Sequence, residues 1–243
     1  MTSHQIALST LSQWLQMTSL SLPMNRKQRW PMPNNRISVT WLDNYQYFLD
    51  SDMTEDELYE RFYGAFTQNP AMAAGTAWHK HLEQSNNTHN TVEIDGFTFN
   101  LDALFNSDDT HVICLGLPYE RENKHVMQLI DGVDLVGMID VETPYTVYDH
   151  KLTGSYKPER YFDAWQWRAY LTMRNKSQFT YQVFECKPVR EYGQTVEIKD
   201  YHALDMYAYE GMQNEVKAVL ADLNNLINKW RSEGKPCKRD YTK

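Results

Sequence analysis

Cysteine is scarce in this 243-residue chain. Cys114, Cys186 and Cys237 are odd in number, far apart, and form no C-x-x-C pair. That excludes a zinc ribbon, gives no support to an iron–sulfur cluster, and fits a reducing compartment. Excess positive charge is also missing. The formal net charge is -8, which argues against coating nucleic acid through gross electrostatics. It leaves room for an enzyme whose basic groups are local and whose acidic site is neutralised by a cation. No apolar run approaches the roughly 20 residues that span a bilayer. The opening "MTSHQIALSTLSQWLQM" has no basic segment followed by an apolar one, so no secretory signal is read there. A G-x-x-x-x-G-K-[ST] motif is absent, as are internal repeats and low-complexity runs.

What is present suits a folded domain. The chain is 42% hydrophobic, 13% aromatic and 23% charged, enough apolar material for a sizeable core. Residues 5–17 have helical apolar spacing, and the proline-rich, basic stretch "SLPMNRKQRWPMPNNR" reads as a linker. "ISVTWLDNYQYFLD" reads as a strand or turn entering a helix, with Thr40 as a candidate N-cap. Helices are expected over 54–66, where Thr54 and Glu57 match a capping box, and over 69–84, with Gly75 as a close-packing point. From 91 to 141 the pattern changes to short alternating segments, read as strands, and "TVYDHKL" is one more. A long helix is expected over 156–175, with Pro158 in its first turn. "QFTYQVFECKP" and "QTVEIKDY" read as a hairpin. A long helix over 203–230, interrupted near Gly211, closes the domain, and a basic tail follows. The division expected is 1–36 for an N-terminal helix and linker, 37–230 for the main domain, and 231–243 for the tail. The order of elements suggests an α/β or α+β fold, with a mixed central sheet flanked by helices.

The chemistry concentrates in "GMIDVETPYTVYDHKLTG", residues 137–154. If "LVGMIDVE" and "TVYDHKL" pair as antiparallel strands around Pro144-Tyr145, Asp140 lies opposite Asp149, with side-chain bases about 4.5–5.5 Å apart. Strand alternation puts Lys151 on the face of Asp149. Two close carboxylates repel and are costly to desolvate. A hard divalent cation such as Mg²⁺ or Mn²⁺ removes that cost. A nearby ammonium can then stabilise the charge that develops during phosphodiester hydrolysis. The [D/E]-x-K pattern alone is weak evidence, since it occurs six times, at Glu122/Lys124, Asp149/Lys151, Glu185/Lys187, Glu197/Lys199, Glu215/Lys217 and Glu233/Lys235. Solvated charge is the ordinary explanation for most of these. What singles out Asp149/Lys151 is the upstream Gly-x-x-Asp and the Thr-Gly that follows. The seven tryptophans are ascribed mainly to the core rather than to base stacking.

Taken together, Gly137 and Asp140, then Asp149, His150, Lys151, Thr153 and Gly154, then Gln166 and Tyr170 in "QWRAY", resemble the PD-(D/E)XK nuclease superfamily and its RecB-like branch. Upstream, "GTAWHKHLE" is similar to the branch's Gly-His-Leu-Glu helix, and "ISVTWLDNY" to its serine-rich entry, so the resemblance covers residues 37–175 in consistent order. It implies a restriction-endonuclease-like core and a divalent-metal-dependent nuclease, exonucleolytic in type, acting on DNA in recombination, repair or phage DNA processing. It further implies His79, Asp140, Asp149 and the His150 backbone carbonyl as ligands of Mg²⁺ or Mn²⁺, Lys151 as the catalytic lysine, and Glu120 as an additional acidic catalytic position. Gln166 and Tyr170 would hold the substrate backbone or brace the site.

The three cysteines cannot supply the cluster that some members carry. The partners implied are linear DNA ends, single- or double-stranded, and a recombination or replication protein, with an oligomer left open and a bacterial or phage-infected cytoplasm as the setting. Two rival readings stand beside this one. The first is a protein of the same fold that binds nucleic acid or a protein partner without cutting. The second is a hydrolase centred on Glu185, Glu197 and Lys199.

Overall fold

The computed structural model describes residues 35–84, 90–105 and 120–237. The helix expected over 5–17, the linker as far as residue 34 and Cys114 lie outside these residues; Asn35 and Arg36, expected to end the linker, instead begin the first strand.

In chain order the elements are β1 (Asn35–Ser38), α1 (Val39–Asp50), α2 (Glu55–Tyr63), α3 (Pro70–Gln84), β2 (Thr91–Ile94), β3 (Phe97–Asn100), α4 (Asp102–Phe105), β4 (Glu120–Ile130), β5 (Val133–Glu142), β6 (Thr146–Thr153), α5 (Pro158–Phe162), α6 (Trp165–Arg174), β7 (Gln178–Cys186), β8 (Thr195–Tyr207) and α7 (Met212–Ser232). The strands form one mixed sheet in the order β1-β5-β6-β7-β8-β3-β2, with β4 paired to β5 beside that path. β1 runs parallel to β5, β6 to β7, and β3 to β8, while the remaining pairs are antiparallel. A mixed central sheet flanked by helices, in the restriction-endonuclease-like arrangement, is therefore the fold.

Two apolar clusters hold the layers. The larger joins α1, α2, α6 and α7 to β1, β5, β6 and β7, through residues such as Leu42, Phe62, Leu135, Phe179, Leu220 and Trp230, all with 1% exposure or less. The smaller seats α3 on β3, β7 and β8 through Trp78, Leu82, Phe99, Phe184 and Val196. Each such side chain contributes about 1.5–3 kcal/mol by leaving water. Trp41, Trp78, Trp167 and Trp230 are all buried, so among the described residues the core explanation of tryptophan holds for four.

The capping box at Thr54 and Glu57 forms as expected: Glu57 N–H donates to Thr54 Oγ1 at 3.3 Å, and Thr54 N–H to Glu57 Oε2 at 2.7 Å. Pro158 opens α5. Elsewhere the structure differs. Ser38, not Thr40, is the N-cap of α1, because β1 pairs with β5 up to Ser38 and the helix starts at once. Gly75 has nothing within 4 Å of the space a side chain would take, so no close packing demands glycine there.

The long helix expected over 156–175 is two helices, parted at Asp163–Ala164. Residues 203–207 are strand rather than helix, since β8 stays paired with β7 as far as Tyr207 opposite Gln178. Gly211, at φ 88° in the left-handed region, then turns the chain into α7.

Candidate active site

The β5–β6 hairpin places the central residues. Its ladder pairs Val141 with Tyr148 and Glu142 with Val147, then stops. One further step in that register sets Asp140 opposite Asp149, as the pattern of residues 137–154 predicts. Instead of continuing the ladder, the His150 N–H donates to Asp140 Oδ2 at 2.7 Å. The strands part at this point, and the charged side chains occupy the opening.

His79 reaches the opening from α3, which packs on β6. Its Nδ1 lies 3.4 Å from Asp140 Oδ2. Glu122 arrives from β4, where its φ of 49° interrupts the pairing between Arg121–Val141 and Asn123–Ile139. His79, Glu122 and Asp140 each offer one ligand atom, and these atoms lie within 4.8 Å of one another. Among the described residues this is the group of histidine, cysteine and carboxylate side chains that could hold a metal ion.

Asp149 is buried, at 3% exposure. Its Oδ1 accepts from Gln166 Nε2 at 2.7 Å. Lys151 Nζ is 2.5 Å from its Oδ2, an ion pair with this buried carboxylate. Burial, and then the charge of Asp149, raise the Asp140 carboxyl well above the usual carboxylate range, against the pull of Lys151. Burial also raises Glu122, with Glu83 and Asp149 adding to the effect. His79 is lowered by burial, against the charge of Asp149 and a hydrogen bond to the His150 backbone, which favours the neutral imidazole that can ligate a metal. Burial draws the Lys151 ammonium down, but the charges of Asp149 and Asp140 outweigh this and hold it above the ordinary lysine value. The donor set is thus a neutral imidazole and oxygen ligands whose ionisation is uphill without a cation. It fits a hard divalent ion.

One face of α6 braces this arrangement with residues four apart. Gln166 holds Asp149. Tyr170 Oη donates to the Met138 carbonyl at 2.6 Å. Arg174 Nε donates to both oxygens of the buried Glu142, at 3.0 and 2.9 Å. The Gly-x-x-Asp pattern has a steric cause here: a Cβ on Gly137 would stand 2.3 Å from Tyr170 Cε1 and 3.1 Å from Val39 Cγ2. Gln166 and Tyr170 are 7% and 3% exposed, and the contacts they make are the bracing ones.

Glu120 is not drawn into the group. It is exposed at the start of β4, opposite Glu142, and accepts from Asn123 Nδ2 at 2.8 Å. Glu122, two residues on, stands where an acidic group from this strand meets Asp140. It was visible in the sequence only as one of six [D/E]-x-K pairs, and no pattern foretells its positive φ. Nor are Glu185, Glu197 and Lys199 gathered: Glu197 pairs with Lys187, and Glu185 lies 3.4 Å from His202 Nε2. The His150 ring is buried, and burial lowers its basicity to a pKa of about 3.

Fold and site together define a chain with a restriction-endonuclease-like core and a carboxylate–lysine centre in the parting of two strands. No family model matches the sequence, and no curated protein does. Solved structures do. A phage-related exonuclease from Haemophilus somnus 129PT is similar over 83% of this chain and 97% of its own, at 12% identity and a TM-score of 0.52. A protein assigned as an exonuclease from Eubacterium rectale is similar over 86% of both chains, also at 12% identity and a TM-score of 0.52. At this identity the likeness establishes a common fold.

Proposed function

We propose that this protein is a nuclease of the PD-(D/E)XK type, hydrolysing DNA phosphodiester bonds with Mg²⁺ or Mn²⁺ and working from linear ends. The observation that carries the proposal is the convergence of His79, Glu122 and Asp140 within 4.8 Å of one another, beside the Asp149–Lys151 pair at 2.5 Å. The names of the two fold neighbours, one of them a phage-related exonuclease, support an exonucleolytic mode.

His79, Asp140, Asp149 and the His150 carbonyl are the proposed ligands, and Glu122 is added to them because its carboxylate, unlike that of Asp149, lies with His79 and Asp140 within 4.8 Å. When bound, the cation supplies Lewis acidity toward a phosphate oxygen and the attacking water. The chain's own part is positional and electrostatic. Asp149, fixed by Gln166, turns its second oxygen to Lys151. Lys151, held protonated, sits where negative charge grows on the phosphoryl oxygens as water adds and the bridging P–O bond breaks. His79 stays neutral and so does not compete with the cation for the carboxylates. The low exposure of Asp149 limits competing water and strengthens each of these interactions.

Lys151→Ala is the direct test. It is expected to lower kcat by about 100-fold or more while leaving divalent-metal affinity equal to or above wild type, because the competing ammonium has gone from Asp149. Cleavage at the wild-type rate would refute the assignment. Folded protein that neither binds metal nor cuts DNA or RNA would point to a non-cutting binding protein instead. Lys199→Ala, made alongside, is expected to cleave as wild type and so to set aside a centre at Glu185 and Glu197.

A further inference from the structure

α6 starts without a cap of its own. Its N-cap residue is Ala164, which has no side-chain acceptor to offer. The first N–H groups of a helix need partners wherever water is kept away. Here the partner comes from a different helix. Asp43 of α1 accepts the Trp165 N–H through Oδ1 at 2.5 Å, and the Gln166 N–H lies near enough to act on the same carboxylate. Gln46, three residues along α1, accepts from Trp165 Nε1 at 2.9 Å. Two positions one turn apart on α1 therefore hold the first turn of α6.

That turn carries Gln166, whose Nε2 donates to Asp149 Oδ1 at 2.7 Å. The hydrogen bond leaves Asp149 Oδ2 facing Lys151. The chain of contacts runs from α1 through the backbone of α6 to a single carboxylate of the candidate site. Asp43 also lies near enough to Lys151 for each to feel the other's charge. The geometry points to Asp43 as a positioning residue: by capping α6 from α1, it holds Gln166 on Asp149 and so aims the carboxylate that serves Lys151 and the cation. Its catalytic consequence rests on the nuclease reading; its structural consequence does not.

Ligand-orienting partners of this kind are worth about 10–100-fold in metal affinity. The test combines a metal-free readout with a metal-binding one, on the full chain. The first is the pair of Gln166 side-chain amide proton signals, with their exchange against deuterium, by NMR in EDTA. The second is Mn²⁺ affinity by calorimetry. Asp43→Ala is expected to move the Gln166 signals toward those of a solvated amide and to weaken Mn²⁺ binding about 10-fold, as Gln166→Ala does. The double variant should bind Mn²⁺ no more weakly than the weaker single variant, since both act through one contact. Asp43→Asn keeps an acceptor oxygen and should restore both readouts to near wild type. Thr54→Ala, which breaks the distant capping box of α2, should lower thermal stability while leaving both readouts unchanged.

Unmoved Gln166 signals in Asp43→Ala, or additive losses in the double variant, would overturn the assignment. If Asp43→Ala does not fold, Asp43→Glu decides: the longer arm must displace the turn, and unmoved Gln166 signals would again overturn it. A wild-type protein that binds no Mn²⁺ would defeat the metal reading, and the Gln166 signals would still judge Asp43.

Discussion

Asp43 should leave a pH signature as well. Burial raises its carboxyl from the ordinary 3.8 to about 6, against the pull of the Trp165 N–H and Lys151. The folded state therefore holds this proton more tightly than the unfolded chain does. Below about pH 4 the group is protonated in both states and costs nothing. Above about pH 6 it is ionised in both, and the fold bears the full cost of the buried charge, up to about 3 kcal/mol for a shift of this size. Denaturant titrations in EDTA should show wild type losing stability relative to Asp43→Asn as pH rises from 4 to 7. A difference that is constant across that range would contradict the burial of this charge.

Gly137 makes a second prediction at the same scale. Gly137→Ala forces the Tyr170 ring off its site and should cost about 1–3 kcal/mol. On a Tyr170→Ala background only the 3.1 Å contact with Val39 Cγ2 is left, and the same substitution should cost clearly less, which a double-mutant cycle in denaturant will measure.

Residues that carry a sequence pattern were legible at this scale, and those that act through shape were not. Asp140, Asp149, Lys151 and His79 stand in motifs whose order is readable along the chain; the structure sets His79 3.4 Å from Asp140 and Lys151 2.5 Å from Asp149, with the second pair near enough to act on Asp140 through its charge. Glu122 enters through a backbone irregularity, where the alternation that locates strand residues says nothing about side-chain direction. The sequence pointed to Glu120 instead, two residues away. Asp43 looks like any helical aspartate until α6 is placed against α1.

Among the elements, α6 is the clamp. Gln166, Tyr170 and Arg174 recur every fourth residue, and this spacing puts them on one helix face. They reach β6, the backbone of β5 and the end of β5 in turn. The clamp needs a helix that begins at Trp165, and hence a break after α5. Apolar periodicity continues through 156–175, so the break was invisible in the pattern. It exists because Asp43 takes the N–H groups that an unbroken helix would have spent on Tyr161 and neighbouring carbonyls. The misread start of α7 has a similar cause: Ala203–Tyr207 has no strong strand signal, and pairing with β7 decides its conformation. Local propensity located the capping box of α2 because that signal is contained within four residues.

For the molecule as a whole, the mixed sheet flanked by helices followed from the order of elements, whereas strand order did not. β1 and β6 share one edge of β5, with β1 against Val133–Val136 and β6 against Val141–Glu142. The gap between them is where Asp140 sits. No local sequence signal reports that two distant strands stop short of each other along a third. Among the described residues no helix is long and apolar enough to cross a membrane.

On the proposed reading, the gap, the histidine and the braced carboxylate would bring a divalent cation and a phosphodiester together. The most direct measurement is cleavage of end-labelled linear and closed circular DNA by the wild-type protein in Mg²⁺, in Mn²⁺ and in EDTA. The expected result is metal-dependent loss of linear DNA, with the circular form spared and no reaction in EDTA. Cleavage that persists in EDTA, or folded protein that leaves both substrates intact with either metal, would contradict it.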